Sequence, residues 1–400
     1  MSVDTPTRLN IADYLKRMNI SEEFLLGKKI GVAMSGGVDS STVAALFKTA
    51  GANVTGLYMK NWSDPRDCRG VDDRADALKV ALKLGIPFHV FDFEKEYREK
   101  VIDYFYQEYE SGRTPNPDIM CNKEIKFKIF LDEALKLGLD YIATGHYAGV
   151  RKIFLNHPEL VSGSKEIPKQ VRNDIFRIRP DKYELVAGID QTKDQSYFLY
   201  TFTQEQLARV LLPLGNFYKK EIREIAKTLG VPVHAKPDSQ GICFVGEVKI
   251  REFLSRRLPK KTGEIKDLKG KVLGTHDGIY FYTLGQREGL KIGGGIPYYV
   301  VDKKVRENIL VVAPLNQEDK LYSKSLTARD THWVSGVEPE FPLKVKARIR
   351  HLQALQDAVV NKITKDRIQV EFEKDQRAIS PGQSVVLYAK NVVLGGGIIS

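Results

Sequence analysis

The sequence predicts an α/β fold with a doubly wound parallel sheet in its first half, followed from Gly263 onward by all-β structure that ends in a small β-barrel. In the first half, short β-rich runs alternate with segments of helical length, which is typical of a parallel sheet covered by helices on both faces. A glycine-rich loop joins the first strand to the first of these helices. From Gly263 onward, short β-rich runs are separated by turn residues, which is typical of all-β structure.

Four strands and four helices are predicted in the first half from apolar periodicity and from glycine or proline at segment ends. The strands are expected at residues 29–34, 53–59, 88–93 and 140–144. The helices are expected at residues 41–49, 72–84, 94–109 and 122–137. Ligands of such sheets bind at the carboxyl ends of the strands. The glycine-rich loop lies at this edge, so we expect the main ligand site there.

The later elements are less regular. Residues 151–173 have mixed polarity without a clear period, and residues 176–189 alternate like a hairpin. Two further helices are expected at residues 218–229 and 248–257. Three β-rich runs follow at residues 278–285, 296–301 and 308–314. The junction of Ala313 and Pro314 is the expected boundary between two β modules.

The composition is that of a soluble globular protein. Of 400 residues, 42% are hydrophobic and 28% charged. No apolar run reaches the roughly 18 residues that a membrane-spanning helix needs. The first residues lack an apolar signal segment and include acidic side chains, so we expect a cytoplasmic protein without a membrane partner. The three cysteines, Cys68, Cys121 and Cys243, are widely spaced and odd in number, which argues against a disulfide framework or a zinc site.

Positive charge is concentrated in the second half. The net charge is +11, and residues 1–210 contribute none of it because their basic and acidic residues balance. Lys and Arg side chains gain affinity for polyanions by releasing phosphate counterions, so residues 211–400 are expected to contact nucleic acid. The alternative is that this charge only keeps the protein soluble.

The strongest local motif is the run Ser35-Gly36-Gly37-Val38-Asp39-Ser40, between the first strand and the first helix. Glycines let backbone N–H groups approach phosphate oxygens, and a helix N-terminus adds unpaired donors and a positive dipole end. The run lacks the Gly-Lys-Ser/Thr ending of a Walker loop. A glycine turn with Asp39 as an ordinary helix cap is the alternative. The loop resembles the PP-loop of ATP pyrophosphatases, which transfer AMP to a carbonyl oxygen and release pyrophosphate.

Two cysteines lie in polar segments that favour a chemical role. Cys121 follows a Gly-Arg-Thr-Pro turn and precedes a predicted helix, where the dipole would favour a thiolate. Cys243 lies in a short segment between predicted helices, among Asp, Gln and Gly residues. For each, an inert buried thiol is the alternative. Cys68 lies in a polar loop and is expected to be non-catalytic.

The chain resembles the tRNA-specific 2-thiouridylases from about Lys29 to its last residues. The resemblance is carried by the ordered motifs AMSGGVDSS, GLYMKNW, GRTPNPDIMCNKEIKF, ATGHYA, KDQSYFLY, KPDSQGICFVG, YTLGQREGL and LGGGII. It implies a PP-loop ATP pyrophosphatase domain at residues 1–245, a central domain at 246–313 and a C-terminal tRNA-binding β-barrel at 314–400. It also implies that C2 of the wobble uridine in tRNAs for Lys, Glu and Gln exchanges oxygen for sulfur.

The resemblance implies three sets of site residues. The ATP site would comprise Ala33, Met34, Ser35, Gly36, Gly37, Val38, Asp39 and Ser40, with Met59 and Gly145 on the adenine and ribose side. The target base would be received by Asn116, Pro117 and Asp118. Further tRNA contacts would be His146, Lys193, Asp194, Gln195, Arg348, Ile349 and Gln383. Ile349 stands where the family usually has an aromatic residue.

The implied chemistry uses ATP with Mg²⁺ and two thiols. Adenylation would let the C2 oxygen depart as AMP, and Cys243 would carry a persulfide from a sulfur-donor protein, a cysteine desulfurase or a sulfur-relay protein. Cys121 would release the product and form a disulfide with Cys243. Asp118 would move a proton, with turn capping as the alternative. Asp39 would alternatively help to hold Mg²⁺.

Two other classes of protein remain open at this point. One is another adenylating enzyme, such as a 4-thiouridine or cytidine thiolase or an amidotransferase-linked synthetase. The lack of a CxxC motif and of a glutaminase-sized segment argues against it. The other is a tRNA-binding protein without activity, which the intact loop and cysteine motifs disfavour.

Overall fold

The computed structural model describes residues 11–62, 69–153, 182–238, 250–293 and 295–400, and for residues 69–71 it describes the backbone only. Cys68, Cys243 and most of the irregular region 151–173 lie outside the described residues. The strands are β1 (Lys29–Ala33), β2 (Asn53–Lys60), β3 (Phe88–Asp92), β4 (Tyr141–Ala143), β5 (Ala148–Ile153), β6 (Lys182–Ala187), β7 (Val210–Leu211), β8 (Gly263–Lys266), β9 (Val272–His276), β10 (Tyr298–Lys304), β11 (Ile309–Pro314), β12 (Tyr322–Trp333), β13 (Leu343–Arg348), β14 (Gln356–Lys362), β15 (Ile368–Arg377), β16 (Ser384–Ala389) and β17 (Val392–Ile399).

Helices of three kinds accompany the strands. The α-helices are Ile11–Arg17, Glu22–Leu25, Val38–Thr49, Arg69–Leu84, Glu94–Tyr97, Asp103–Glu110, Pro117–Met120, Phe130–Lys136, Gln204–Leu207, Lys219–Thr228 and Ile250–Ser255. The π-helical turns are Arg98–Ile102 and Cys121–Ile129, and the 3₁₀ turns are Ser196–Leu199, Ile279–Phe281 and Leu315–Leu321. No helix among the described residues is long and apolar enough to cross a membrane.

The first part of the chain forms a parallel sheet in the order β3-β2-β1-β4-β7. The predicted α/β class and its four strands are confirmed. Apolar residues of β1 are fully buried because helices cover the sheet, and one core cluster lies beneath the helix Val38–Thr49. The order of the strands brings the carboxyl ends of β1, β2 and β4 together at one edge.

The predicted helix at 122–137 begins earlier than expected. Asn116 caps it through its side chain, which accepts a hydrogen bond from the Ile119 N–H at 3.2 Å, and Pro117 occupies the first helical position. The helical run then continues through the π-turn Cys121–Ile129. Cys121 therefore lies one turn inside the helical run, and the expectation that it precedes the helix is wrong.

The second half contains a small sheet and a closed barrel. The small sheet has the order β10-β11-β8-β9. The predicted β-rich run at 278–285 is wrong, because none of these residues lies in a strand and Ile279–Phe281 forms a 3₁₀ turn. The barrel has six strands in the order β12-β15-β14-β13-β16-β17 and closes by pairing of β12 with β17. The predicted C-terminal β-barrel is confirmed.

One hairpin of the first half joins the barrel sheet. The strands β5 and β6 pair with each other, and β6 also pairs with β17 through Val186 and Val392. The second half of the predicted 176–189 hairpin is therefore a strand with partners on both sides, and residues 176–181 lie outside the described part. This shared sheet fixes the barrel against the parallel-sheet domain.

Candidate active site

The glycine loop lies at the carboxyl end of β1 and leads into the helix Val38–Thr49. Gly36 has φ 74°, and a Cβ atom there would lie 2.2 Å from the carbonyl oxygen of Asp73, so only glycine fits. Gly37 caps the helix without a side-chain hydrogen bond. The first-turn N–H groups are thus left for a ligand, as in helix-terminal phosphate sites.

Two neighbouring loops close around this helix start. A Cβ atom at Gly145, just after β4, would lie 2.7 Å from the Ser40 nitrogen and 2.8 Å from the Cβ of Asp39. Met59 is half-buried near the end of β2, which pairs with β1. The structure therefore brings the predicted ATP residues to one edge of the sheet.

A lysine far away in the sequence supplies the positive charge that the loop itself lacks. The Lys219 ammonium donates to both carboxylate oxygens of Asp39, at 2.7 and 2.8 Å, and lies 3.0 Å from the Asp238 carboxylate. The Tyr147 hydroxyl donates to Asp39 at 2.9 Å. Sequence reasoning missed Lys219 because no local pattern pairs it with a loop 180 residues earlier.

The start of the KPDSQGICFVG motif is anchored on the same loop. Lys236 donates to the Gly36 carbonyl oxygen at 3.2 Å and pairs with Asp73 and Asp76 at 2.8 and 2.6 Å. Burial would raise the pKa of Asp238, but hydrogen bonds from Lys193 and Lys219 outweigh it and lower the pKa to about 2. The backbone that leads toward Cys243 thus leaves from a point beside the glycine loop.

Asp39 does not fit the role of a magnesium ligand in this arrangement. Mg²⁺ is held by one or two carboxylates together with substrate phosphates. Both carboxylate oxygens of Asp39 already accept hydrogen bonds from Lys219. Within the described ranges, no group of three or more His, Cys, Asp or Glu residues is placed to hold a metal ion.

Cys121 is buried, with 3% of its surface exposed. Burial raises the pKa of its thiol and the nearby Asp118 carboxylate adds to this, while Lys126 and a hydrogen bond with Tyr97 act in the opposite direction. The net shift is upward, so the expectation of a dipole-stabilised thiolate is wrong for this state. Cys121 needs a base, or a change in its surroundings, to react at neutral pH.

Lys126 links the cysteine helix to the ATGHYA loop. Its ammonium donates to the Asn122 side chain at 3.0 Å, and its charge lowers the pKa of both Cys121 and His146. Burial is the larger cause at His146 and keeps its pKa well below the ordinary value. Because of this low pKa, the His146 ring is neutral at neutral pH. It lies 2.7 Å from the Thr144 hydroxyl, with which it forms a hydrogen bond.

Asp194 and Arg348, two of the predicted tRNA contacts, form a buried ion pair between the first domain and the barrel. Their charged atoms are 2.9 Å apart, and their side chains are 3% and 8% exposed. Asp194 also accepts hydrogen bonds from the Gly188 and Ser196 N–H groups. In this structure the pair joins the two domains rather than facing a ligand.

The remaining predicted tRNA contacts differ in exposure. Ile349 is buried in the barrel core, and the Gln195 side chain accepts a hydrogen bond from the Tyr147 N–H at 3.0 Å. Lys193 is half-buried and pairs with Asp238 at 2.7 Å. Lys193 thus shares the Asp238 carboxylate with Lys219.

Replacing Arg348 tests the buried ion pair. In Arg348→Ala, the Asp194 carboxylate keeps its backbone hydrogen bonds but loses the only cation that pairs with it among the described residues. Leaving one buried charge unpaired typically costs about 3 to 5 kcal/mol. We expect urea unfolding to show a loss near the lower end of this range. A variant as stable as the wild type would show that the pair does not join the domains.

All three parts of the fold meet at Thr114, two residues before Asn116. The Gln383 amide donates to the Thr114 and Pro115 carbonyl oxygens at 2.8 and 3.2 Å, and the Thr114 N–H donates to Pro381. The Thr283 hydroxyl, from the YTLGQREGL motif, lies 3.4 Å from the Thr114 hydroxyl. Gln383 thus orients the predicted base-binding turn in this structure.

A cavity of about 240 Å³ opens beside this turn, between the cysteine helix and the barrel. Asn116, Met120 and Lys123 line it from the helix, and Asp330 and His332 line it from the barrel. Asn116, the first residue of the predicted base-binding turn, therefore lies at the edge of a cleft that both domains form.

Comparison with protein families gives matches over almost the whole chain. A model described as "tRNA methyl transferase HUP domain" matches residues 28–247. Models described as "tRNA methyl transferase PRC-barrel domain" and "Aminomethyltransferase beta-barrel domain" match residues 251–314 and 323–399.

Three curated relatives match most of the chain, and each is named tRNA-specific 2-thiouridylase MnmA. The protein from Geobacillus thermodenitrificans is 44% identical over 375 residues, which cover 93% of this chain and 94% of that protein. The protein from Halalkalibacterium halodurans is 45% identical over 375 residues, with the same coverage. The protein from Methylobacillus flagellatus is 45% identical over 381 residues, which cover 93% of this chain and 99% of that protein.

Proposed function

The chain belongs to the tRNA-specific 2-thiouridylase family and is a tRNA uridine 2-sulfurtransferase, and we propose that it uses ATP and a cysteine persulfide to thiolate C2 of the wobble uridine. The observation that carries the nucleotide part is the uncapped start of the helix Val38–Thr49, against which neighbouring backbone packs closely at Gly36 and Gly145. Backbone N–H groups there suit the phosphates of ATP. The tRNAs for Lys, Glu and Gln are the proposed substrates.

Adenylation solves the chemical difficulty of this exchange. A uracil C2 carbonyl is a poor electrophile, and its oxygen is a poor leaving group. When that oxygen attacks the α-phosphate of ATP, pyrophosphate departs, and the oxygen later leaves as part of AMP. The anion-binding helix start supports this step because it stabilises the phosphate charge. Mg²⁺ accompanies ATP in the proposal without a ligand assigned among the described residues.

Sulfur transfer is proposed to use the two cysteines in sequence. The terminal sulfur of a Cys243 persulfide, loaded by a sulfur-donor protein, attacks C2 and displaces AMP. The Cys121 sulfur then attacks the Cys243 sulfur, which leaves 2-thiouridine and a Cys121–Cys243 disulfide that an external thiol must reduce. The anchoring of Lys236 and Asp238 beside the loop supports this, because the segment toward Cys243 starts near the proposed adenylate.

Asp118 is the proposed proton carrier. Its carboxylate lies close enough to Cys121 for its negative charge to contribute to the raised pKa of that thiol. The turn from Asn116 to Asp118 is proposed to receive the base, supported by the cleft beside it.

The proposed domain boundaries are 1–245, 246–313 and 314–400, supported by the matched stretches that end at residues 247 and 314. The tRNA substrate is compatible with the cytoplasmic location that we propose.

Product analysis of the nucleotide tests this function. With unmodified tRNA, a persulfide donor, Mg²⁺ and ATP, we expect AMP and pyrophosphate to form in equal amounts and only when tRNA is present. Release of ADP and phosphate, or nucleotide turnover that does not depend on tRNA, would contradict the proposal.

A further inference from the structure

The positive charge of the second half is concentrated before the barrel. Residues 251–313 contain 13 Lys and Arg against 7 Asp and Glu, whereas residues 314–400 contain 13 against 10. The region from the helix Ile250–Ser255 through the small sheet therefore carries a larger excess than the longer barrel. This distribution shows where to look for a polyanion-binding surface.

Four exposed basic residues lie at one end of the small sheet. Lys260 and Lys261 directly precede β8, and Lys304 and Arg306 lie at the turn between β10 and β11. The Asn308 amide joins the two segments, because it donates to the carbonyl oxygens of Lys261 and Thr262 at 3.3 and 2.9 Å. We call Lys260, Lys261, Lys304 and Arg306 the basic end.

The charge of the basic end is not neutralised within the described protein. None of its four residues forms an ion pair with a described carboxylate, and Glu307 is the one acidic residue of the turn. Two exposed lysines of the barrel, Lys346 and Lys362, do pair, with Asp357 and Glu338. The basic end therefore presents net positive charge to solvent.

The basic end lies beside the segment that leads to the base-binding turn. Val305, between Lys304 and Arg306, packs on Gly112, where an added Cβ would lie 2.4 Å from its Cγ2 atom. Gly112 precedes Asn116 by four residues, which span at most about 14 Å. A nucleotide held at the turn thus has its neighbouring phosphates within reach of long Lys and Arg side chains.

We propose that the basic end binds backbone phosphates of the nucleotides that flank the target uridine. This inference rests on the proposed function, and it assigns the phosphate grip near the target to the small sheet rather than to the barrel. RNA is favoured over an acidic protein because Val305, within the basic end, packs on the segment that leads to the proposed base-binding turn. Lysine and arginine bind phosphate by charge and release counterions, without reading the base.

Salt-dependent tRNA binding tests the inference. The test variant changes Lys260, Lys261, Lys304 and Arg306 to Gln in the full chain. The control variant changes Lys324, Lys344, Lys365 and Lys390 to Gln, which removes the same charge from exposed barrel positions. Dissociation constants for tRNA are measured at salt concentrations from about 0.05 to 0.3 M, where phosphate contacts make a large contribution to the affinity.

Each phosphate contact contributes about 0.7 to 0.9 to the steepness with which the log of the association constant decreases with log salt. For the test variant we therefore expect this slope to become less steep by about 3. We expect the Kd near 0.1 M salt to rise by about 100-fold or more. The control variant should lose less in both measures. Equal or larger losses in the control would overturn the inference. Unchanged tRNA binding with loss of persulfide loading would also overturn it, in favour of a protein partner.

Two parallel measurements keep the outcome clear. Because all eight positions are exposed, both variants should unfold thermally like the wild type. The wild type is assayed for 2-thiouridine at the same time. If the wild type forms 2-thiouridine and the test variant binds tRNA like the wild type, the phosphate-binding role of the basic end is rejected and the proposed function stands. If the wild type thiolates no tRNA, the proposed function itself is rejected.

Discussion

Cys121→Ser is expected to load a persulfide normally but to form no 2-thiouridine, with turnover reduced by at least about a thousandfold, as for other lost nucleophiles. A serine hydroxyl cannot displace sulfur from Cys243 at neutral pH. Cys243→Ser should fail at the earlier step and carry no persulfide, and Cys68→Ser is the control that should retain both. Intact-protein mass after donor treatment and nucleoside analysis of the tRNA separate the two steps. A loaded Cys243→Ser protein would contradict the assignment.

The burial of Cys121 adds a pH dependence to this prediction. Because burial raises the pKa of the thiol, the protonated form predominates at neutral pH. The thiolate fraction increases about tenfold per pH unit below the pKa. We expect single-turnover product release to accelerate from pH 7 to 9, while persulfide loading at Cys243 follows a different profile. A release rate that is flat over this range would show that Cys121 is already ionised during reaction.

Lys219→Ala is expected to weaken ATP binding by about 10- to 100-fold. Without the ammonium, the carboxylates of Asp39 and Asp238 would repel the phosphates at the helix start, and charges about 4 Å apart interact by several kcal/mol near a protein surface. Lys219→Arg keeps the charge and should bind ATP within a few-fold of the wild type. Isothermal titration with ATP in the presence of Mg²⁺ measures the effect.

A second substitution tests the physical reason for the Lys219 effect. If Lys219 acts mainly by neutralising Asp39, then Lys219→Ala combined with Asp39→Asn should recover part of the lost ATP affinity. The two side chains are in direct contact at 2.7 Å, so a coupling energy is expected in the double-mutant cycle. Strictly additive losses would show instead that Lys219 contacts the phosphates and that Asp39 is not its relevant partner.

Local sequence patterns predicted the parallel sheet and the loop because both depend on neighbouring residues. Periodicity and glycine positions mark β1 to β4, whereas the helix expected at residues 41–49 begins three residues earlier, at Val38. The two-residue strand β7 was missed because so short a segment has no periodicity. The start of the cysteine helix was misplaced although Asn116 and Pro117 carry the usual capping signal.

The long-range ion pairs could not be predicted from local patterns. Lys219 and Asp39 are 180 residues apart, and Arg348 and Asp194 are 154 residues apart. The sequence carries only one weak sign that Cys121 is buried, which is the apolar Ile125 one turn later on the same helical face. Ile125 is fully buried in the structure.

Nucleoside mass spectrometry of tRNA tests the central claim most directly. Unmodified tRNA for Lys, Glu or Gln is incubated with the full-length protein, ATP, Mg²⁺, a persulfide donor and a thiol reductant, then digested to nucleosides. We expect 2-thiouridine at the wobble position with the wild type and none with Cys121→Ser or without ATP. Absence of 2-thiouridine with the wild type, or its equal formation by Cys121→Ser, would contradict the claim.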